Sequence, residues 1–190
     1  MDSDLNCKVS ILHTDEEIVE NTLSYQPDVV SIDAPLFLPK GRKNLESVGP
    51  PHLRVCDKEL LRMGIRFFPI TLGPMRMLAS RGISLRKRFI VSGLTVIESY
   101  PGAVQDILGM PRKQRGKNLL RNALLNYGLK GDVSRDCIDG DELDAITSAL
   151  VGKLYLENNY IAIGDPDEGY MILPKVTNYF RYKVTGGGRA

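Results

Sequence analysis

Hydrophobic positions along this chain follow two different periods. Val29-Val30-Ser31-Ile32 is a β-branched run with the length and composition of a buried strand, and Leu94-Thr95-Val96-Ile97 repeats the pattern. Lys8-Val9-Ser10-Ile11-Leu12 reads as a further short strand, and residues 160–163 and 170–173 as a closing pair. Elsewhere the spacing is three or four. Leu53, Cys56, Leu60 and Met63 predict an amphipathic helix from His52, closed by Gly64. Leu143, Ile146, Leu150 and Leu154 predict another from Gly140 to about residue 157. Helical pieces are also expected at 75–79, 84–92 and 118–127.

Local chemistry marks several ends. Thr14, with Glu17 three residues on, forms a capping box for a helix reaching about Ser24, where Gln26-Pro27-Asp28 breaks it. Asp139 is the corresponding N-cap of the last helix, with Glu142 at its third position. Pro35, Pro39 and residues 41–51 make a long loop, and Ser99, Pro101 and Gly102 read as turn residues. Ala145, Ser148, Ala149 and Gly152 are small, so the last helix can approach a sheet closely.

Composition narrows the class. A length of 190 residues favours one domain, assigned to 1–178, with 179–190 as a flexible tail around Gly186-Gly187-Gly188. No apolar run approaches the roughly 20 residues needed to span a bilayer, and the first residues lack a secretory pattern, so a cytoplasmic location is expected. Cys7, Cys56 and Cys137 are widely spaced with no CxxC pair, which indicates neither a disulfide framework nor a zinc site. Net charge is only +2, but its distribution is uneven. Arg76, Arg81, Arg86, Lys87 and Arg88, then Arg112, Lys113, Arg115, Lys117 and Arg121, form two basic stretches between acidic flanks. Such stretches are either solvated helix faces or a surface for a phosphate-rich partner.

Both β-branched runs end in a carboxylate, Asp33 and Glu98, at the strand edge where open α/β sheets bind ligands. Asp141 and Asp144 lie three apart on one helix and can address the same place. Convergent carboxylates are the ligands magnesium or manganese prefers, and no histidine or cysteine is needed, which leaves His13 and His52 outside the site. Asp33, Asp141 and Asp144 are the candidate metal ligands, and with Glu98 the candidate catalytic set. Each has an ordinary alternative: Asp33 as a turn former, Asp141 as a complement to the helix dipole, Glu98 as the partner of an arginine. Arg54 and Asp57 fit a local ion pair or a substrate clamp equally well. Arg112 and Lys113 follow Pro111 in a loop from which a cation can reach phosphate.

Several of these pieces, in this order, resemble the family catalogued as domain of unknown function 429, regarded as ribonuclease H-like nucleases. They are Ser31-Ile32-Asp33-Ala34-Pro35-Leu36, Arg54-Val55-Cys56-Asp57 with Gly64-Ile65 and Pro69, Val96-Ile97-Glu98-Ser99-Tyr100-Pro101, Asp141-Glu142-Leu143-Asp144-Ala145, and Ile163-Gly164 with Glu168-Gly169 and Pro174. The resemblance implies an α/β, three-layer ribonuclease H-like fold with a mixed central sheet and a C-terminal β-hairpin. It also implies magnesium- or manganese-dependent hydrolysis of phosphodiesters in DNA or RNA. Asp33 then corresponds to the carboxylate ending the fourth strand, Asp141 and Asp144 to the acidic pair on the last helix, and Glu98 to this family's acidic strand end. The first two strands of the superfamily, and the Asp of the first, have no counterpart here. Their absence leaves the edge of Val29–Ile32 unpaired, so self-association or a strand-donating partner is expected. It also keeps open a rival reading, a non-catalytic scaffold that binds nucleic acid or a protein. A nucleotide phosphoryl-transfer role is less well supported, because no GxxxxGK[ST] or GxGxxG loop occurs.

Overall fold

The structure, a computed structural model, describes residues 1–175. The expected tail and the boundary at 178 lie outside the described residues. Among the described residues the fold is mixed α/β, with six α-helices, one four-stranded sheet and one small parallel pair. In order, the elements are β1 (Asn6–Cys7), α1 (Asp15–Tyr25), β2 (Val30–Ile32), α2 (Val55–Arg62), α3 (Gly73–Val91), β3 (Val96–Glu98) and α4 (Pro101–Ile107). They continue with α5 (Lys117–Tyr127), β4 (Lys130–Gly131), α6 (Gly140–Leu156), β5 (Tyr160–Asp165) and β6 (Gly169–Pro174). Single 3-10 turns occupy Lys113–Arg115 and Asp132–Ser134.

The main sheet has the order β2-β3-β6-β5, with β2, β3 and β6 parallel and β5 antiparallel to β6, so the chain does close its sheet with an antiparallel strand pair. β1 and β4 form the separate parallel pair. Helices cover both faces. Strand alternation sends Val30, Ile32 and Val96 against Val19 of α1 and Leu85 and Phe89 of α3. Val29 and Ile97 turn to the opposite face, where they join a core containing Val104 of α4 and Val151 of α6. Among the described residues no helix is long and apolar enough to cross a membrane.

The capping signals act as read. Thr14 Oγ1 accepts from the Glu17 amide (3.1 Å) while Glu17 Oε2 accepts from the Thr14 amide (3.1 Å). At α6, Asp139 Oδ1 accepts from the Asp141 (2.9 Å) and Glu142 (2.8 Å) amides, and Glu142 Oε2 accepts from the Asp139 amide (2.8 Å).

Three expectations change. Residues 8–12 are not a strand: among the described residues no neighbouring strand completes a ladder, and the Val9 amide instead donates to Asp132 Oδ2 (2.8 Å), so the segment crosses the surface with Ile11 exposed. The two pieces expected at 75–79 and 84–92 are one helix, α3. Gly82 lies inside it where the helix packs on the loop after β2: a Cβ there would come within 2.7 Å of Ala34 Cβ, and the missing side chain lets helix and loop touch. Pro101 and Gly102 open a helix, α4, where a turn was expected, with proline in the first helical turn, where its missing N–H costs no intrahelical bond.

Candidate active site

The site is set by how α6 crosses β2. Positions 144, 148 and 152 are spaced by four and share one face of α6. Gly152 ends this row with so little clearance that a Cβ would sit 3.2 Å from Val29 Cγ1 and 3.8 Å from Ser31 Cβ. The small residues thus permit the close approach anticipated from sequence. Along β2, Ser31 and Asp33 follow Val29 onto the face that α6 covers. Asp33, just past the end of β2, then meets Asp144, in the second turn of α6. Both line one cavity of about 60 Å³ together with Tyr100, Gln105, Arg112 and Lys113. The interface beneath it is polar, with the Ser31 and Ser148 hydroxyls buried and without hydrogen-bond partners among the described residues.

Asp144 is fixed from two sides. Gln105 of α4, fully buried, donates from Nε2 to Asp144 Oδ1 (2.8 Å), and Lys113 Nζ lies 2.7 Å from Asp144 Oδ2. Lys113 also bonds Asp141. It reaches both acids because position 140 is glycine: a Cβ there would lie 2.9 Å from Lys113 Cδ. Burial works against the ammonium, but its bonds to Asp141 and then Asp144 outweigh that and hold it above the ordinary lysine value. Asp141 itself is 91% exposed, against 15% for Asp144, so the two members of the acidic pair are not equivalent.

Asp33 stands at the mouth of the cavity, exposed on one side. The protein packed around its carboxyl, and after that the negative charge of Asp144, push its pKa up to about 7. An acid crowded by a second acid is a site that gains from a cation.

Glu98, Arg54 and Asp57 do not line this cavity; they form a buried cluster of their own. Arg54 Nη1 donates to Glu98 Oε2 (2.8 Å), and its Nη2 and Nε donate to Asp57 Oδ1 (2.9 Å) and Oδ2 (3.2 Å). Glu98 Oε2 also accepts from the Leu36 amide (2.8 Å), which ties the loop after Asp33 to the end of β3. All three side chains are almost fully buried, and of the alternatives open in the sequence the ion pair is the one present.

Arg112 is braced from several directions. Its Nη2 and Nε donate to Asp106 Oδ2 (2.6 Å) and Oδ1 (3.0 Å), and its Nη1 to the Arg66 carbonyl (3.2 Å) and Tyr100 Oη (3.1 Å). Gly102 leaves room for this arrangement, since a Cβ would come within 2.9 Å of the Tyr100 ring and 3.1 Å of Arg112 Cζ. Gln105 and Tyr100 were missed in the sequence because both belong to the unrecognised α4 region. A glutamine among apolar helix residues carries no signal until the helix itself is recognised.

Among the described residues no group of three or more His, Cys, Asp or Glu side chains converges as a metal-ligand set. Asp33 and Asp144 remain as a pair of oxygen donors on one cavity, which matches the way magnesium is held by one or two carboxylates plus substrate phosphate and water. No family model, no curated protein and no solved structure matches the chain.

Proposed function

We propose that this chain is a ribonuclease H-like, divalent-metal-dependent nuclease that hydrolyses phosphodiester bonds in nucleic acid. The observation that carries the reading is the meeting of Asp33 and Asp144 on one cavity at the carboxyl end of two parallel strands, with Arg112 and Lys113 on its wall. Asp33 and Asp144 would hold magnesium or manganese, while Asp141 does not line the cavity and is tied to it through Lys113. The ion, when bound, neutralises the charge that builds up on the phosphate oxygens and helps orient the attacking water. In the reaction the water oxygen bonds to phosphorus, the bond to one ester oxygen breaks, and the water's proton ends on that leaving oxygen. The protein's own part is positioning. Gln105 holds Asp144 in one orientation, and Asp106 and Tyr100 hold Arg112 where it can pair with a phosphate oxygen. Lys113 neutralises Asp144 and Asp141, and with a cation on Asp144 its ammonium would be available to the substrate's negative charge.

The test is manganese-dependent cleavage of labelled single- and double-stranded DNA and RNA, with calorimetric manganese titration of the parent, Asp33→Asn and Asp144→Asn. The reading expects binding and cleavage in the parent and loss of both in the two folded variants. Parent protein that binds no manganese, or variants that cleave as well as the parent, would overturn it. The rival, a non-catalytic scaffold, draws on the absence of a three-carboxylate set among the described residues. It expects nucleic-acid binding that survives chelator and never leads to cleavage.

A further inference from the structure

We infer that a second cavity, next to the acidic one and walled by Arg66, Arg112 and Arg115, binds the phosphates of a single nucleic-acid strand. The cavity is about 570 Å³ and is also lined by Gly64, Asp106, Gly109 and Met110. Arg112 is the wall it shares with the acidic site, so a strand seated here leads directly to Asp33 and Asp144.

Charge pairing and cavity lining together point to this place. The basic stretch on α3 is largely satisfied from within: Arg81 pairs with Asp15 (2.6 Å), Arg88 with Glu16 (3.3 Å) and Arg76 with Glu46 (3.5 Å), while Arg86 lies over the Phe37 ring. In the second stretch, Arg121 is paired with Asp136 and Lys113 with Asp141 and Asp144. Asp106, the one acid lining the cavity among the described residues, is engaged by Arg112 (2.6 Å). The guanidinium groups of Arg66 and Arg115 are exposed and have no carboxylate within ion-pairing distance among the described residues. Lys87 and Lys117 of the two basic stretches are likewise without an ion pair among the described residues, but Arg66 and Arg115 are the two such cations that line this cavity beside Arg112.

The backbone that carries them is anchored beside the cavity. The Arg66 carbonyl accepts from Tyr100 Oη (2.7 Å) and from Arg112 Nη1 (3.2 Å), which anchors the Arg66 loop to the wall of the acidic site. Arg115 sits on the 3-10 turn Lys113–Arg115, held between Gly109 and Gly116, both at positive φ. Arginine forks match phosphate oxygens in pairs. Phe68, two residues along the Arg66 loop, is 70% exposed and offers a face on which a base can stack. Cations beside an exposed aromatic are how proteins hold single strands without reading sequence. This inference deepens the nuclease reading by placing its substrate, and it requires no metal.

The experiment is fluorescence anisotropy of a fluorescein-labelled oligothymidylate with the full chain in EDTA, across a salt series. The parent binds, and the negative slope of log affinity against log salt becomes shallower by about 1.4 in Arg66→Gln/Arg115→Gln, the share of two phosphate contacts to a single strand. Affinity at low salt falls about tenfold. Phe68→Ala weakens binding without changing the slope. Lys58→Gln/Lys87→Gln, which removes two exposed cations elsewhere, leaves affinity and slope as in the parent. All variants melt with the parent, since every altered side chain is exposed. The inference is overturned by a parent that does not bind in EDTA, by equal affinity and slope in the Arg66/Arg115 variant, or by equal loss in the Lys58/Lys87 control. It is also overturned if inorganic phosphate competes as well as the strand does at equal phosphate concentration, which assigns a site for single phosphate groups instead. Cleavage plays no part in these readouts, so their failure is distinct from failure of the nuclease reading.

Discussion

Lys113 Nζ lies 2.7 Å from Asp144 Oδ2, on the wall of the cavity that Asp33 also lines, so a lysine stands where the proposed cation has to bind. Ammonium and metal then compete for one carboxylate. Lys113→Gln removes the competitor and leaves the acids in place. Its manganese affinity is expected to rise about fivefold, corresponding to the roughly 1 kcal/mol of a partly exposed ion pair. Calorimetry on the folded variant decides it, and an unchanged or weaker affinity would show that Lys113 does not oppose the ion.

Asp33 makes stability depend on pH. Its pKa is raised from 3.8 to about 7, so the folded state keeps a proton that the unfolded chain releases. Asp33 therefore favours folding fully below about pH 4, and this contribution is lost as pH rises through 7. Asp33→Asn lacks the titration. Without metal, its melting temperature is expected to gain on the parent's as pH rises from 4 to 8. Solvent at the cavity mouth screens the interaction, so the gain is on the order of 1 kcal/mol at pH 8. Thermal melts of both proteins across this range check it. A constant difference between them would remove Asp33 as the titrating group.

What the sequence reveals depends on how local the cause is. The boxes at Thr14 and Asp139 are legible because cap and partner lie three residues apart, and the small residues Ser148 and Gly152 because one helix carries them. The strand reading of residues 8–12 fails because a ladder needs a neighbour, and no property of those five residues says whether one is present. Glu98 shows the same limit at the site. Its place at a strand end is legible, but its partner, Arg54, lies 44 positions earlier and draws the carboxylate into a separate cluster. Gln105 and Tyr100 go unnoticed because Pro101 and Gly102 look like a turn, although proline is equally suited to open a helix.

The Arg54 cluster should act as a structural unit. Arg54→Met leaves Glu98 and Asp57 buried without their cation and is expected to cost about 3–5 kcal/mol. The triple variant Arg54→Met/Asp57→Asn/Glu98→Gln, which removes the charges together, should lose clearly less. Chemical denaturation of the parent and the two variants provides the comparison. If Arg54→Met melts with the parent and only weakens nucleic-acid binding, Arg54 is a substrate clamp after all.

The outer edge of β2 gives the last prediction. β2 ends the sheet order, and in a parallel ladder alternate residues bond to the same neighbour. Val30 donates to the Thr95 carbonyl (2.8 Å) and Ile32 accepts from the Ser99 amide (3.0 Å), so the Ser31 N–H and C=O point away from β3. Helices cover both faces of this strand, and among the described residues no strand pairs with its outer edge. A second copy can supply the missing partner by laying its own β2 alongside. With three residues on each side the association should be weak, and a monomer–dimer equilibrium is expected in sedimentation velocity at tens of micromolar. Ser31→Pro removes the outward donor and keeps the ladder to β3, since proline is tolerated on an edge when its nitrogen faces outward. The variant should sediment as a monomer at every concentration. A parent that is monomeric throughout, or a variant that dimerises equally well, would show that the β2 edge is not where copies meet.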